Sequence, residues 1–324
     1  MTPLLRAEKL RVAYRIRVSG RGVARFREVE VLRGVSLFLN AGEVVGVVGE
    51  SGCGKSTLAR ALVRIVPIKG GRIFFQDRDV TEIPERRLRP HRRLVQMIFQ
   101  DPFASLNPRL TVYETLAEPL LVHRVLDTSS VPKRVQILMD RVGLAARWMH
   151  RYPHEFSGGQ RQRIAIARAL ALQPKVLIAD EPVSALDVSI QAQILNLLQD
   201  LVAEEELGLL FISHDLAVIR HIAHRVCVMY LGEIIETAPA ATLFTHPRHP
   251  YTRMLLSAMP RLEPATVQPL STVTGEPPSF LESIPGCPFH PRCPYAMPVC
   301  QEQIPNLESV GSNHEVRCLR TADF

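Results

Sequence analysis

Short apolar runs recur along the chain, and each one predicts a strand that is buried on both faces of a sheet. They cover residues 43–48, 94–99, 175–180 and 209–212. Elsewhere, as at residues 188–206, apolar positions repeat at the spacing of a helix. Strands that alternate with helices and end in polar residues are typical of an α/β domain with its ligand site at that edge of the sheet. The pattern therefore predicts an α/β fold.

Two further patterns lie outside this alternation. The start of the chain has strand-like runs at residues 4–14, 29–32 and 35–39. At about residues 101–172 strand signals are few and helical spacing dominates, which predicts a helical subdomain.

The composition changes near Pro260. Beyond this residue, proline, glycine and cysteine replace the periodic apolar positions. We therefore expect a main domain at residues 1–260 and a C-terminal region at residues 261–324. With few apolar positions to bury, that region has little means of ordering itself through packing.

Composition narrows the class of protein. Hydrophobic residues make up 46% and charged residues 22% of the 324 residues, as in globular proteins with a sizeable core. No apolar run is long enough to span a membrane, and the start of the chain lacks the apolar segment of a secretion signal. We therefore expect an intracellular protein.

The formal net charge of +7 raises the question of a nucleic-acid partner. Much of this charge lies in residues 15–27 and 86–93. Phe26 is the one Phe, Tyr or Trp residue in these two stretches, so neither is interleaved with a series of aromatic side chains that could stack on bases. We interpret both as solvated basic loops and expect no nucleic-acid partner.

The most specific motif follows the first apolar run. It fits the pattern G-x-x-x-x-G-K-[ST] and precedes a predicted helix at residues 57–64, which is the context of a phosphate-binding loop. Backbone N–H groups and the helix N-terminus favour phosphate oxygens there. We expect Lys55 to reach the β- and γ-phosphates and Ser56 to bind Mg²⁺. The predicted nucleotide-binding residues of this stretch are Gly49, Glu50, Ser51, Gly52, Cys53, Gly54, Lys55, Ser56 and Thr57.

Two acids mark the end of the apolar run at residues 175–180, namely Asp180 and the adjacent Glu181. A carboxylate at a strand end beside a phosphate loop is placed to hold Mg²⁺, usually through a water. The next acid can then polarise the attacking water as general base. A polar turn with a helix cap is the plainer alternative. The phosphate loop in the same chain favours the catalytic interpretation.

A second helix N-terminus suited to an anion lies within the helical subdomain. Ser157, Gly158, Gly159 and Gln160 precede a predicted helix at residues 161–170. A chain with two such helix ends but one triphosphate site needs a second copy to use both. With these motifs the chain resembles the ATP-binding cassette family of transport ATPases. In that family the signature sequence contacts the γ-phosphate of ATP held by the partner subunit across a head-to-tail dimer.

The resemblance implies a P-loop cassette core with an antiparallel β subdomain and a helical subdomain. Gln100 matches the glutamine that senses the γ-phosphate and Mg²⁺, Asp187 lies in the dimer-communicating loop, and His214 matches the switch histidine. Tyr14 lies where the family places an aromatic that stacks on adenine, and Phe26 is its rival. The implied catalytic residues are Glu181, Gln100 and His214, and the implied Mg²⁺ ligands are Ser56, Gln100 and Asp180.

Residues 152–160, 179–193 and 249–252 are similar to the ATPase subunits of bacterial dipeptide and oligopeptide permeases, and residues 182–184 resemble the F-type subunit. This resemblance implies ATP-driven peptide import at the cytoplasmic face of the bacterial inner membrane. The implied partners are a paired ATPase in a heterodimer, two membrane permease subunits and an extracytoplasmic substrate-binding protein. Related importers for nickel, glutathione or antimicrobial peptides are alternatives. A soluble cassette ATPase acting on nucleic acid or ribosomes fits less well, because such proteins carry long coiled-coil insertions or two cassettes.

The C-terminal region contains Cys287, Cys293, Cys300 and Cys318. Four thiolates close in sequence can hold Zn²⁺ or a [4Fe–4S] cluster, with unligated thiols as the remaining alternative. The spacing favours the cluster, because structural zinc sites usually contain a C-x2-C pair. The same four-cysteine tail occurs in the importer family, and the resemblance implies a [4Fe–4S] cluster. We expect ATP binding to be independent of it, because the tail follows the complete ATPase.

Overall fold

The computed structural model describes residues 2–18, 25–259, 276 and 278–321. The predicted domain boundary near 260 lies outside these residues. By their internal contacts the residues form two compact units. The first unit contains Met1–Leu5, Leu39–Val44 and Phe74–Ile212, and the second contains Arg6–Phe38, Val45–Ile73 and Ser213–Phe324.

Twelve strands are formed within the described ranges. They are β1 (Leu5–Val18), β2 (Arg25–Leu39), β3 (Val44–Val48), β4 (Gly70–Phe75), β5 (Arg78–Asp79), β6 (Val95–Ile98), β7 (Val176–Asp180), β8 (Gly208–Ile212), β9 (Arg225–Tyr230), β10 (Glu233–Pro239), β11 (Glu308–Gly311) and β12 (His314–Val316).

The same residues form eleven α-helices and four short 3₁₀ turns. The helices are α1 (Lys55–Leu62), α2 (Glu85–Leu94), α3 (Pro102–Ser105), α4 (Val112–Val122), α5 (Val131–Arg141), α6 (Gly158–Leu170), α7 (Val188–Glu205), α8 (Leu216–Ile222), α9 (Ala240–Thr245), α10 (Pro250–Ser257) and α11 (Val299–Glu302). The 3₁₀ turns cover Thr128–Ser130, Ala146–Trp148, Pro153–Glu155 and His290–Arg292. None of the helices described here is long and apolar enough to cross a bilayer.

The first unit is built on parallel strands in the order β8–β7–β6. Val95 pairs with Val176, which in turn pairs with Gly208. Every residue of β7 and β8 is buried, as expected for apolar runs covered on both faces. Between β6 and β7 the chain forms α3 to α6, where the sequence predicts a helical subdomain. The long helix α7 buries Ile194 and Leu198, two of the positions that repeat at helical spacing.

The second unit contains strands in the order β11–β12–β10–β9–β3, and also the strands β2–β1–β4. Strand β3 runs parallel to β9, with Val45 opposite Arg225. Strand β9 pairs with β10 in the antiparallel sense, and β12 from the C-terminal region pairs with β10 from its other side. The pairing of β9 with β10 has an irregularity between Ile234 and Glu236. Glu236, which pairs with Val316, is completely buried.

Three predictions are corrected by the structure. The basic stretch 86–93, interpreted as a loop, lies within helix α2, where Leu88 and His91 share one face and are buried. The runs at 29–32 and 35–39 belong to the single strand β2, in which Gly34 adopts a φ of 94° and permits an irregularity without ending the strand. The C-terminal region, expected to lack packing, instead buries Phe289 (1% exposed) and Val316 (0% exposed). Periodicity could not reveal this packing, because β12 has three residues and Phe289 lies in a loop.

Candidate functional site

The phosphate loop connects β3 to α1, in the context that the sequence predicts. Gly49 has a φ of 155°, and a Cβ atom there would lie 2.2 Å from the carbonyl oxygen of Met229 in β9. Gly54 occupies the N-cap of α1 with a φ of 109°. Both positions therefore require glycine. The turn places the N-terminus of α1, with its unpaired N–H groups, where an anion can bind.

Lys55 is 5% exposed, and its ammonium group lies inside the loop. Its Nζ atom donates hydrogen bonds to the carbonyl oxygens of Gly49 (2.8 Å) and Glu50 (2.9 Å). It also lies 3.8 Å from Sγ of Cys53. A buried positive charge needs such partners, and phosphate oxygens satisfy the same need. Of the other loop residues, Ser51 and Gly52 are exposed, and Ser56 and Thr57 are half-buried in the first turn of α1.

Glu50 is held by two residues that lie more than 200 positions further along the chain. Its backbone N–H donates to the hydroxyl oxygen of Tyr251 (2.8 Å). Its carboxylate accepts two hydrogen bonds from the guanidinium of Arg292, at 2.8 and 2.9 Å. Sequence reasoning missed both contacts. The available signals were that Tyr251 lies in the importer-like stretch 249–252, and that Arg292 lies between two of the clustered cysteines.

The predicted catalytic acids lie in the first unit, at the end of β7. Asp180 is 2% exposed and ends the strand. Glu181 follows with a φ of 48°, a conformation that is uncommon for a residue with a Cβ atom and occurs often at functional sites. Its backbone N–H donates to the carbonyl oxygen of Ile212 (3.0 Å). The amide nitrogen of Gln100 donates to its carboxylate (2.8 Å), so the structure brings two predicted catalytic residues together.

The signature residues form the start of α6. Ser157 is the N-cap, its hydroxyl accepts from the backbone N–H of Gln160 (3.4 Å), and the Gln160 side chain accepts from the backbone N–H of Ser157 (3.1 Å). This reciprocal pair is a capping box. A Cβ atom at Gly159 would lie 2.4 Å from Ile190 of α7, so the turn packs closely against that helix. Ser157 is exposed and Gly158 is half-buried, so this helix end faces solvent.

The remaining polar residues of the prediction are exposed. Ser184 donates to the carbonyl oxygen of Glu181 (3.1 Å), and Asp187 occupies the N-cap position of α7. In the second unit, exposed His214 comes directly before Asp215. The Asp215 carboxylate caps α8 by accepting from the backbone N–H of Ala217 (2.8 Å).

The two candidates for adenine stacking differ in exposure. Tyr14 in β1 is half-buried, whereas Phe26 in β2 is 61% exposed. The guanidinium of Arg15 lies 5.6 Å from the centre of the Phe26 ring. Phe26 is therefore the more exposed of the two side chains, and the choice between them stays a prediction.

The four clustered cysteines line one small cavity, with a volume of about 20 Å³. All four are free thiols. Burial, together with the mutual repulsion of thiolates, raises the pKa of Cys287 and of Cys293 to about 11. Burial likewise raises the pKa of Cys318. The cavity is also lined by His249, Phe289, His290, Tyr295, Leu319 and Arg320, among others.

Within the described ranges, no group of three or more His, Cys, Asp or Glu side chains is arranged to hold a single metal ion. The predicted zinc or cluster site is therefore not confirmed. What the structure establishes is that cysteines spread over 32 residues of sequence converge on one cavity.

Two family models match the chain. One is described as "ABC transporter" and matches residues 32–184. The other is described as "Oligopeptide/dipeptide transporter, C-terminal region" and matches residues 235–300.

Relatives and solved structures agree with these matches. The chain is 50% identical to the di/tripeptide transport ATP-binding protein DppF of Pseudomonas aeruginosa, over 92% of each chain. It is 49% identical to the oligopeptide transport ATP-binding proteins AppF of Bacillus subtilis, over 90% of this chain and 89% of AppF, and OppF of Escherichia coli, over 91% and 89%. A solved dimeric structure of the bacterial ABC transporter cassette MJ0796 matches with a TM-score of 0.65 at 27% identity, over 73% of this chain and 98% of that one.

Proposed function

Because this chain belongs to the ATP-binding subunits of peptide ABC transporters, we propose that it hydrolyses ATP to energise uptake of dipeptides or oligopeptides. The observation that carries this proposal is the phosphate loop, where buried Lys55 lies beside the N-terminus of α1. A charge and a helix end arranged together in this way are suited to a triphosphate.

We propose that Lys55 binds the β- and γ-phosphates and that Ser56, Gln100 and Asp180 hold Mg²⁺. The loop glycines support the first role, because they let the backbone approach the phosphates closely. The position of Asp180 at the end of β7 supports the second role, because a carboxylate at a strand end is placed to hold Mg²⁺, usually through a water.

Glu181 is the proposed general base for the attacking water, with Gln100 positioning its carboxylate and sensing the γ-phosphate. The hydrogen bond between the two side chains supports this pairing. The general base removes a proton from water as the oxygen attacks phosphorus. His214 is proposed to complete the hydrolytic site by contacting the γ-phosphate.

The signature residues are proposed to act on ATP held by a paired ATPase in a head-to-tail dimer. The exposed N-terminus of α6, already capped by Ser157 and Gln160, supports this role, since its remaining N–H groups can meet an incoming anion. Exposed Asp187 is the proposed contact between the two subunits. The isolated chain should then hydrolyse ATP slowly.

The proposed partners beyond the paired ATPase are two membrane permease subunits and an extracytoplasmic substrate-binding protein. The proposed location is the cytoplasmic face of the bacterial inner membrane, where the chain is a peripheral subunit. Support comes from the relatives, which are named as transport ATP-binding proteins for peptides. Nickel, glutathione and antimicrobial peptides are the alternative cargoes.

The experiment uses the complete transporter. The chain is purified with the products of its neighbouring genes and reconstituted into vesicles, and ATP-dependent uptake of labelled dipeptides, longer peptides, glutathione and nickel is measured. We expect ATP-dependent uptake of a peptide, and Lys55→Ala should abolish this uptake. Uptake of nickel or glutathione alone would replace the peptide assignment, and ATP-independent uptake would contradict the energising role.

We also propose that Cys287, Cys293, Cys300 and Cys318 hold a [4Fe–4S] cluster, with zinc as the alternative. Four free thiols lining one cavity match the donor set of such a cluster. When bound, the group would link distant parts of the tail through metal–thiolate bonds. Protein purified without oxygen should contain about four irons and four sulfides per chain. One zinc would correct the metal, and absence of both would refute the site.

A further inference from the structure

The segment between Cys287 and Cys293 reaches the phosphate loop. It carries Phe289 and Arg292, and its last part is the 3₁₀ turn His290–Arg292. The Arg292 side chain is only 8% exposed, and both of its terminal nitrogens donate to the Glu50 carboxylate. Such a paired, shielded contact is stronger and more specific than a surface ion pair.

Aromatic packing supports the same contact. Phe289 packs against Tyr230 of β9 and Tyr251 of α10, with ring centres 5.4 and 5.5 Å apart. Tyr230 and Tyr251 are themselves 4.7 Å apart, and all three side chains are almost completely buried. The Tyr251 hydroxyl then accepts the backbone N–H of Glu50. One segment of the tail thus contacts Glu50 by two routes, directly and through Tyr251.

The charge of Glu50 matters because of where it lies. It is the second residue of the phosphate loop, and its own carbonyl oxygen accepts a hydrogen bond from Lys55. Its carboxylate also contributes to raising the pKa of the Cys53 thiol, after the larger effect of burial and against the effect of Lys55. The negative charge of Glu50 is therefore felt inside the loop that must receive a polyanion.

We infer that Arg292 is a positioning residue for ATP binding, which neutralises the Glu50 carboxylate and holds it in a fixed position through two hydrogen bonds. This inference rests on the ATPase function proposed above and is independent of any metal at the cysteines. It leaves standing the expectation that ATP binding is independent of a cluster at the cysteines, and it gives an arginine of the tail a part in the electrostatics of the phosphate loop.

A purely structural role for the ion pair makes different predictions. If Arg292 only anchors the tail, then removing either Arg292 or Glu50 weakens the anchor equally, and the two variants change the Kd for ATP by the same amount. If Arg292 neutralises Glu50, then removing Arg292 leaves an unpaired negative charge beside the phosphates. Removing Glu50 leaves a positive charge there, which does not oppose ATP. The signs of the two effects therefore differ.

The test is a double-mutant cycle on the full chain, purified without oxygen, with the Kd of a fluorescent ATP analogue measured in Mg²⁺. We expect Arg292→Gln to raise the Kd by about tenfold. Glu50→Gln should leave the Kd unchanged or lower it. The double variant should recover most of the affinity lost in Arg292→Gln and return to within about twofold of Glu50→Gln, whereas loss of an anchor would leave it as weak as Arg292→Gln.

Arg317→Gln is the matched control. Arg317 is also an arginine of the C-terminal region, and its side chain donates to the carbonyl oxygens of Ile234 and Pro305, not to the phosphate loop. We expect its Kd to stay within about twofold of that of the unmodified chain. In the assembled transporter, Arg292→Gln should raise KM for ATP and leave kcat unchanged.

Three results would overturn the inference: an unchanged Kd in Arg292→Gln, a double variant as weak as Arg292→Gln, or an equal loss in Arg317→Gln. Arg292→Lys keeps the charge and guards against misfolding of the glutamine variant, so it should bind ATP better than Arg292→Gln. Lys55→Ala distinguishes failure of this inference from failure of the proposed ATPase function. If Lys55→Ala loses ATP binding while Arg292→Gln does not, the ATPase assignment stands and only the role of Arg292 is refuted.

Discussion

The phosphate loop and the pair of Gln100 and Glu181 are held in place by different means. The loop packs against residues far away in sequence, since Met229 excludes a side chain at Gly49, and Tyr251 and Arg292 bind Glu50. Gln100 is exposed, and its hydrogen bond to Glu181 joins two residues of the first unit. The binding element is therefore enclosed by packing, whereas the hydrolytic pair lies near the surface.

This difference predicts which step each region controls. A packed loop binds phosphate without reorganising, so a change there alters ATP affinity and also disturbs its neighbours. Gln100 is exposed and Glu181 is half-buried, so this pair can be altered with less effect on the packing, and a change there acts on hydrolysis. Variants of the two regions should therefore separate binding from turnover.

The largest effect is expected for Glu181→Gln. Removing the general base should slow ATP hydrolysis by a factor of about 10²–10⁴. The Kd for MgATP should stay within about twofold, because the phosphate contacts of the loop are unchanged. The measurement is turnover in the assembled transporter together with ATP binding.

A matched control for this variant is Glu155→Gln, which changes an exposed glutamate of the same unit outside the proposed hydrolytic pair. Its turnover should be close to that of the unmodified transporter. Near-normal turnover in Glu181→Gln would show that Glu181 is not the general base. The two regions would then not differ in the step that they control.

A smaller effect, confined to binding, is expected for Lys55→Ala. Loss of the buried ammonium should raise the Kd for MgATP by about 100-fold, because charge-assisted contacts to phosphate are lost. Titration with a fluorescent ATP analogue measures this change. Lys175→Ala is the control, because Lys175 precedes the buried strand β7 and lies outside the phosphate loop. Unchanged ATP affinity in Lys55→Ala would contradict the role of the loop.

The contrast also explains how much of the molecule could be predicted from sequence. Strand β3, the phosphate loop and α1 follow one another, so apolar pattern and glycine spacing identify them directly. The same holds for Asp180 at the end of β7. These elements were predicted within a few residues, since the forces that form them act over short stretches of chain.

The contacts that enclose the loop could not be predicted in this way. Glu50 and Arg292 are separated by 242 positions, and no periodic pattern connects them. Strand β12 has three residues, too few for an alternation to be detected, and its pairing with β10 depends on tertiary structure. Sequence motifs thus identified the chemistry of the loop but not the distant residues that hold it in place.

The smallest effect is expected for the pH dependence of stability, through His249. His249 caps α10 by accepting the backbone N–H of Tyr251 at its Nδ1 atom (3.0 Å). Burial lowers the pKa of His249 to about 4, although Glu236 opposes this shift. In the unfolded chain a histidine has a pKa of about 6.5, so as the pH falls below that value the unfolded state takes up a proton that the folded state refuses. The stability contributed by neutral His249 is therefore present above about pH 6.5 and is lost progressively toward pH 4.

At pH 5.5 this loss amounts to about 1.4 kcal/mol, or tenfold in the unfolding equilibrium constant, relative to neutral pH. His249→Asn should remove it, because asparagine can cap the helix but does not titrate in this range. Denaturant unfolding of both proteins between pH 7.5 and 5.5 measures how much more the free energy of unfolding falls in the unmodified chain. Any effect of acid on the cysteines is common to both proteins and cancels in this difference. Because the His249 cap fixes Tyr251, the affinity for ATP should fall with pH in the unmodified chain more than in the variant. Parallel pH profiles would show that His249 does not support the loop, and that the enclosure of Glu50 depends on Arg292 and the aromatic packing alone.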